Sequence, residues 1–370
     1  MIELFKLMNN KKLPFKTTKT FLLSMLYLLI VFIALLNASK GFSYDYQYYL
    51  VYIEEVKERD FRNLFNSLQG IYVPLKLSTG GVEVGFVILA KLFTYIFTTP
   101  TVTYAVIATA SLYIKSRVLT FFRVKWYWIY LILTYSCILL EANALRSGIS
   151  LTVFMLSIQC YFKNKYSLML LLWIMAASLH LQAFYFVLCF LCVIVINLTN
   201  LIAKRWVISI ITLFVLFTGM LLSKVFQAVT SEKLAIYALK ESISGGFNLI
   251  SVLSLSLMSI VFILIINSTR KAQLSLNIYK SFVGLMLISL STLSIYIFFT
   301  NVAVVGDRLW QWGFVIFCMS YFGIHRRKSF TMSKVLLAAC LIFNLINIIF
   351  RYPLTNLFYP ILPYTDFSNI

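Results

Sequence analysis

Long runs of apolar residues, separated by short charged segments, constrain this 370-residue chain more than any other feature. An α-helix needs about 20 apolar residues to cross the hydrocarbon core of a bilayer, and the repeated runs here have roughly 15 to 21. Charged residues make up 12% of the chain, about half the fraction of a soluble globular domain, and the mean hydropathy is +0.90. The pattern excludes a soluble globule and predicts an all-α, polytopic integral membrane protein.

About eleven of the runs are predicted to be transmembrane helices, and the basic segments between them set the orientation. Basic residues lie at 163–165, 204–205, 270–271 and 326–328, and segment 115–125 is basic too. Because cytoplasmic loops carry an excess of lysine and arginine, these segments and the lysine-rich N-terminus are predicted to be cytoplasmic. The C-terminus is then external. The predicted spans cover residues 20–38, 101–115, 126–140, 148–162, 166–180, 183–200, 206–223, 248–268, 281–300, 309–324 and 335–350.

One further apolar run, residues 84–98, is not counted as a crossing. It is short and carries Lys91 at its middle, where a charge is costly unless it lines a cavity or is buried in protein. Counting it would also move segment 115–125 to the wrong side of the membrane. We therefore predict a re-entrant or interfacial segment here.

The chain is predicted to form one membrane-embedded domain, residues 1–370, with two external loops long enough to fold. The first loop, about 39–83, is rich in tyrosine and charge, and its helical periodicity favours amphipathic helices on the membrane surface. The second, about 224–247, carries lysines that run against the positive-inside bias. Those lysines either contact an anionic substrate or are simply hydrated at the surface of the loop.

The basic residues that produce the net charge of +20 gather in the short loops between apolar runs. The charge is therefore explained mainly by the orientation of the chain in the membrane. No aromatic-rich RNA-binding signature accompanies them, so nucleic acid is not a predicted partner. All six cysteines lie within apolar runs, which predicts small buried side chains rather than disulfides or metal ligands.

Nine polar side chains fall at the external ends of spans or in external loops. They come from five separate places in the sequence, so their meeting at one membrane level would form a site for a polar head group. That convergence is a hypothesis, because the sequence gives depth and not lateral position. The set is Asp45, Glu83, Glu141, Asn143, Arg146, His180, Gln182, Asp307 and Arg308.

Arg146 and His180 are the strongest candidates in this set. A guanidinium group donates two parallel hydrogen bonds to phosphate oxygens and keeps its charge. An imidazole titrates near neutrality, so His180 is a candidate base for a hydroxyl group, with Gln182 or a carboxylate orienting it. Each has a structural alternative: an arginine can snorkel, a histidine can end a helix, and Asp307 with Arg308 can form a local ion pair.

Five short motifs follow one another along the chain: Asp45 with the tyrosines after it, Glu83-Val-Gly-Phe86, Asn143-Ala-Leu-Arg146-Ser-Gly-Ile149, Ala176-Ala-Ser-Leu-His180 and Asp307-Arg308. Their order resembles the EpsG branch of the Wzy-type bacterial polysaccharide polymerases. The resemblance covers most of the chain and is most specific at the Arg146 segment, which is followed by a basic turn and then His180. Similar proteins usually carry proline, glutamine and a hydroxyl residue where this chain has Val84, Ser147 and Gln182.

This resemblance implies a glycosyltransferase on the outer face of the bacterial inner membrane. It would polymerise lipid-linked repeat units by transferring a glycan from undecaprenyl pyrophosphate to the non-reducing end of another lipid-linked unit. Arg146 and Arg308 are expected to stabilise the pyrophosphate, and His180 is the expected base. The other members of the polar set are expected to bind substrate, with Asp45, Glu83 and Glu141 as alternative bases.

No metal or cofactor is expected, because the leaving group is already a pyrophosphate. The expected partners are the lipid bilayer, the undecaprenyl-pyrophosphate-linked oligosaccharide, a chain-length regulator and the flippase that supplies the substrate.

Two other classes stay open. An O-antigen ligase, or another lipid-dependent glycosyltransferase, would use the same donor and differ in its acceptor. A flippase for lipid-linked oligosaccharide is the non-enzyme alternative, and translocation favours charges at mid-bilayer depth and internal pseudo-symmetry. Apart from Lys91, the ionisable residues lie at span ends, which favours surface chemistry.

Overall fold

The computed structural model describes residues 15–37, 44–76, 81–198, 249–268, 276–298, 303–324 and 332–351. Within these ranges the chain is helical apart from one short hairpin, which confirms the all-α prediction. The first half contains α1 (Phe15–Asn37), α2 (Tyr44–Glu58), α3 (Phe61–Asn66), the antiparallel strands β1 (Tyr72–Val73) and β2 (Val82–Glu83), α4 (Val84–Thr94) and α5 (Pro100–Phe121). Next come α6 (Trp126–Ser136), a π-helix (Cys137–Glu141), α7 (Leu145–Phe162), α8 (Tyr166–Leu179) and α9 (Gln182–Leu198). The last four are α10 (Leu249–Ser268), α11 (Leu276–Phe298), α12 (Ala303–Ile324) and α13 (Met332–Arg351).

Each predicted span within the described ranges coincides with a helix, whereas span 206–223 and loop 224–247 lie outside the described residues. Local sequence accounts for several helix ends. Pro100 starts α5, where its missing amide hydrogen costs nothing. Asn164, with a φ of 57°, turns the chain after α7 in the left-handed conformation that asparagine tolerates.

One described helix, Leu145–Phe162, is by itself long and apolar enough to cross a membrane. Other described segments, such as Trp126–Glu141 and Tyr166–Leu179, are apolar but shorter. Large apolar side chains point outward from α1, α8 and α10, as at Ile30, Ile174 and Ile263, a surface typical of contact with lipid. The number of crossings stays a prediction.

The core is built around α7, which packs against α5, α8 and α12. Phe154 on α7 stacks on Trp312 of α12, with ring centroids 6.2 Å apart, and Phe186 of α9 joins the same aromatic group. Helices α11 and α12 form the most extensively packed pair, with Gly313 directly opposite Ser289 and Thr292. Small residues at this contact let the two backbones approach closely.

Helix α2 accounts for the periodicity of the predicted first external loop. Its apolar stripe, Tyr46, Tyr49, Ile53 and Val56, is buried, and α2 packs against α4 and α5. The prediction of a helix is confirmed, but the prediction that its apolar stripe lies on the membrane is wrong because protein covers the stripe. The hairpin that follows was not predicted, since its strands are only two residues long.

Lys91 lies in α4, which spans eleven residues. At 1.5 Å per residue such a helix is about 16 Å long, roughly half the hydrocarbon thickness. Lys91 is buried, and its ammonium group donates a hydrogen bond to the carbonyl of Lys57, 2.9 Å away at the end of α2. The partial negative charge at that helix end compensates the buried cation.

Lys115 and Cys192 depart from their predicted surroundings. Helix α5 continues to Phe121, so Lys115 lies inside it and is buried rather than being part of a basic loop. Its charge therefore carries no weight in the topology. All six cysteines are unpaired, and Cys192 is exposed on α9, so its predicted burial is wrong.

Replacing Lys91 with methionine keeps the length of the side chain and removes the donor to the Lys57 carbonyl. A hydrogen bond that involves a charged group contributes about 1.5–3 kcal/mol, so we expect a lower midpoint of thermal unfolding in detergent. Leu92→Met, at an exposed neighbour, is the control and should leave the midpoint unchanged. An unchanged midpoint in Lys91→Met would show that this hydrogen bond does not hold α2 against α4.

Candidate functional site

Glu83 is the last residue of the hairpin and directly precedes α4. The segment that follows β1 is tied to α2 through Glu55, whose carboxylate accepts a hydrogen bond from the Lys76 amide (2.9 Å) and pairs with Arg59. Arg59 also donates to the carbonyl of Pro74 at 3.1 Å. These contacts fix the end of β1 against α2, and β1 pairs with β2, the strand that carries Glu83.

Gly85 brings Glu83 next to the end of α8. A Cβ atom at this position would lie 2.7 Å from the backbone carbonyl carbon and oxygen of Ser178. Only a glycine permits that approach without displacing one of the two helices. The glycine after Glu83 is therefore a packing requirement of the site.

His180 follows the last residue of α8, where the chain turns into α9. The carbonyl of Ala176 accepts hydrogen bonds from the His180 amide (3.1 Å) and from the Ser150 hydroxyl of α7 (2.7 Å). The end of α8 is thus fixed against α7, and the imidazole is held at a defined place.

Arg146, Glu83 and His180 meet at this point. Arg146 lies in the first turn of α7, and its Nη1 forms an ion pair with Oε2 of Glu83. Nδ1 of His180 lies 2.8 Å from Oε1 of the same carboxylate. The side chain of Glu83 is 5% exposed, whereas those of His180 and Arg146 are 13% and 19% exposed. The group is therefore accessible to a ligand through His180 and Arg146 rather than through Glu83.

The charges of this group are set by its burial and its partners. Burial raises the pKa of the Glu83 carboxyl, but Arg146 and the hydrogen bond with His180 outweigh it and hold the pKa well below its usual range. Burial lowers the pKa of the His180 imidazole; Glu83 opposes this, and the charges of Arg146 and Arg308 lower it further. A neutral imidazole beside an ionised carboxylate donates through Nδ1, which leaves Nε2 as a proton acceptor.

Tyr49 of α2 is part of this group and was missed in the sequence. Its hydroxyl accepts a hydrogen bond from Nε of Arg146 (3.3 Å), and the guanidinium carbon lies 5.7 Å from its ring centroid. Tyr49 also packs edge-on against Phe86, the residue directly after Gly85. The available signal was its place in the apolar stripe of α2, which explains burial but does not single out one tyrosine among several.

A chain of hydrogen bonds links α12 to the same region. The indole N–H of Trp312 donates to the Ser147 hydroxyl (2.8 Å), which donates to Oε1 of Gln182 (3.4 Å). Among the described residues, the buried Nε2 of Gln182 has no hydrogen-bond partner. Ser147 and Gln182 are therefore in contact with each other.

The structure does not gather the other candidates in the same way. Glu141 ends the π-helix in a separate, fully buried cluster, and Asn143 lies in the turn before α7. Because α7 starts at Leu145, Asn143 is not on the same helix as Arg146, and Ser150 of α7 faces α8. Asp45 and Asp307 lie in α2 and α12, and their side chains are outside the part that the structure describes.

Arg308 lies near the start of α12, one turn before Trp312. It is partly buried and acts electrostatically on His180. In the described ranges, no three or more His, Cys, Asp or Glu side chains lie together as potential metal ligands.

The family model for EpsG matches residues 20–365, nearly the whole chain. The chain belongs to the EpsG family. This membership, together with the apolar helices, indicates a membrane protein with a role in polysaccharide polymerisation. No curated protein and no solved structure matches the chain.

Gly85→Ala tests the approach of Glu83 to the end of α8. The added methyl group would collide with the backbone of Ser178, so we expect Glu83 to move away from His180 and polymer formation to fall at least about tenfold. Surface glycan is sized in a deletion strain complemented with each variant, after membrane levels have been matched. Val84→Ala is the control and should retain polymer; full activity of Gly85→Ala would mean that this approach is unnecessary.

Proposed function

We propose that this EpsG family member polymerises lipid-linked oligosaccharide repeat units on the outer face of the bacterial inner membrane. The glycan is transferred from undecaprenyl pyrophosphate to the non-reducing end of another lipid-linked unit. The observation that carries the proposal is the Glu83 carboxylate, which binds His180 and Arg146 at once. A base and a phosphate-binding cation thereby lie beside each other at the ends of apolar helices.

His180 acts as the general base in this proposal. Its Nδ1–H donates to Glu83, so Nε2 accepts the proton of the attacking sugar hydroxyl. As that oxygen forms the new glycosidic bond, the bond between the anomeric carbon and the pyrophosphate oxygen breaks. Glu83 stabilises the imidazolium that results and keeps the ring in the required orientation.

Arg146 and Arg308 stabilise the departing pyrophosphate. Glu83 and Tyr49 occupy Nη1 and Nε of Arg146, and within the described residues Nη2 makes no hydrogen bond. Its remaining donors are available to phosphate oxygens in a setting where little water competes. Arg308 adds a second positive charge from α12, on the side of His180.

Gln182 and Asn143 are proposed to bind sugar hydroxyls. The unpartnered Nε2 of Gln182 is a donor that a ligand would satisfy, and Asn143 lies in the partly exposed turn three residues before Arg146. Asp45 and Asp307 complete the proposed substrate contacts. The bilayer, a chain-length regulator and a flippase are the proposed partners, with the N-terminus cytoplasmic and the C-terminus external.

Alanine variants of the three catalytic candidates separate polymerisation from other functions. In a deletion strain, complementation with His180→Ala, Arg146→Ala or Arg308→Ala should leave single repeat units where wild type makes long chains. Loss of a general base slows a reaction about 10²- to 10⁴-fold, which is enough to abolish long polymer. His325→Ala and Arg117→Ala are the matched controls and should restore long chains.

The same strains distinguish the alternatives. The proposal requires single lipid-linked units to reach the outer leaflet and accumulate there in the deletion strain. Accumulation on the inner leaflet would instead identify a flippase. Long polymer that is made but not attached to its final acceptor would identify a ligase, and long polymer in all three variants would make these residues structural.

The pH dependence of transfer reports the state of His180. Because its pKa is lowered from the usual 6.5, the imidazole is neutral above that pH, and the rate should be constant there and fall only at lower pH. Glu83 raises this pKa, so Glu83→Gln should move the acid limb further down while lowering the plateau. Initial rates in membrane vesicles from about pH 5 to 9 measure both. An acid limb above pH 6.5, or one that Glu83→Gln leaves in place, would assign the titration to another group.

A further inference from the structure

A second buried charge cluster lies behind the site. Lys115 of α5 forms an ion pair with Glu141, the last residue of the π-helix, and their side chains are 1% and 0% exposed. Ser136 joins both: its hydroxyl accepts a hydrogen bond from Lys115 (2.7 Å) and donates to Oε2 of Glu141 (2.9 Å). The pair is thus held at the junction between α6 and the π-helix.

The same carboxylate contacts the helix that carries Arg146. Ser111 of α5 donates to Oε1 of Glu141 (2.9 Å), and its hydroxyl lies 2.7 Å from that of Thr152 on α7. Gly148, two residues after Arg146, is packed so tightly that a Cβ atom there would lie 3.0 Å from Oε1. The first turns of α7 therefore pack directly against the Glu141 carboxylate.

A second route connects Glu141 to the partner of Arg146. The Tyr104 hydroxyl donates to the backbone carbonyl of Glu141 at 2.6 Å. The Tyr104 ring packs against Tyr49, with centroids 6.1 Å apart, and Tyr49 accepts the hydrogen bond from Arg146. Glu141 is thus connected to the backbone around Arg146 through Gly148, and to the Arg146 side chain through Tyr104 and Tyr49.

Both carboxylate oxygens of Glu141 are occupied by protein donors, so little capacity is left for a ligand. Removing one member of a buried ion pair leaves the other charge buried without a partner, which is strongly destabilising. Removing both members often changes the stability very little. From this geometry we infer that Lys115 and Glu141 are positioning residues, which fix the turn before α7 and thereby aim the Arg146 guanidinium. This inference rests on the proposed function, in which Arg146 binds the pyrophosphate.

Full-length protein in lipid nanodiscs tests the inference through a double-mutant cycle. Glu141→Gln should lower kcat for polymerisation at least tenfold in the wild-type background and change it less than about threefold when Arg146 is already alanine. Lys115→Met with Glu141→Gln should recover much of the kcat that either single change loses. Lys280→Met, which removes a buried lysine of α11, is the control for the loss of a buried cation.

Equal losses from Glu141→Gln in both backgrounds would overturn the inference, because the pair would then act independently of Arg146. Hydrogen exchange of the full-length variants gives a readout that does not depend on activity. Residues 142–150 should exchange at least tenfold faster in Glu141→Gln, while residues 166–179 keep their wild-type rate. Unchanged exchange at 142–150 also overturns the inference, whereas faster exchange in a protein that polymerises nothing would reject only the proposed function.

Discussion

One carboxylate holds the candidate site together. Glu83 binds an arginine 63 residues away in sequence and a histidine 97 residues away, and it satisfies both with its two oxygens. A buried carboxylate needs such partners, because an unpaired charge at low dielectric is far more costly than the ion pair. The positions of α4, α7 and α8 relative to one another are therefore coupled to a single side chain.

Two kinds of contact surround Glu83: some let neighbouring helices approach each other closely, and others fix the backbone of a helix or of the hairpin. Gly85 lets α4 touch the end of α8, and Ser150 fixes that end to α7 through the Ala176 carbonyl. Glu55, with its hydrogen bond to the Lys76 amide, ties the hairpin to α2. None of these groups needs to contact a substrate, and each acts by restricting where Glu83, His180 or Arg146 lies.

The two buried charge clusters differ in how completely their polar groups are satisfied. The cluster of Lys115 and Glu141 is closed, because hydroxyl groups from three helical segments complete its hydrogen bonds. The cluster of Glu83 is open: Arg146 and His180 are partly exposed, and the amide of Gln182 has an unused donor among the described residues. Unused capacity of this kind is what a ligand would occupy, which is why binding is proposed for the open cluster and positioning for the closed one.

The sequence by itself determined the helical class, the helix positions and the identity of most candidate residues. These follow from local physics, since apolar runs of membrane-spanning length form helices and charged residues collect mainly at their ends, with Lys91 and Lys115 as buried exceptions. It also identified Arg146 and His180, whose side chains are chemically suited to a phosphate-linked sugar. The family match over residues 20–365 agrees with the resemblance drawn from those motifs.

Only the tertiary structure decided which polar residues meet. Glu83 and Glu141 are both acids near helix ends, yet one joins Arg146 and His180 while the other pairs with Lys115. The periodicity of α2 predicted an apolar stripe but neither its burial by protein nor the contact of Tyr49 with Arg146, and Trp312 lies 165 residues from the serine that it binds. Periodicity fixes which face of a helix is buried, whereas lateral packing between distant helices fixes its partner, and no local pattern encodes that choice.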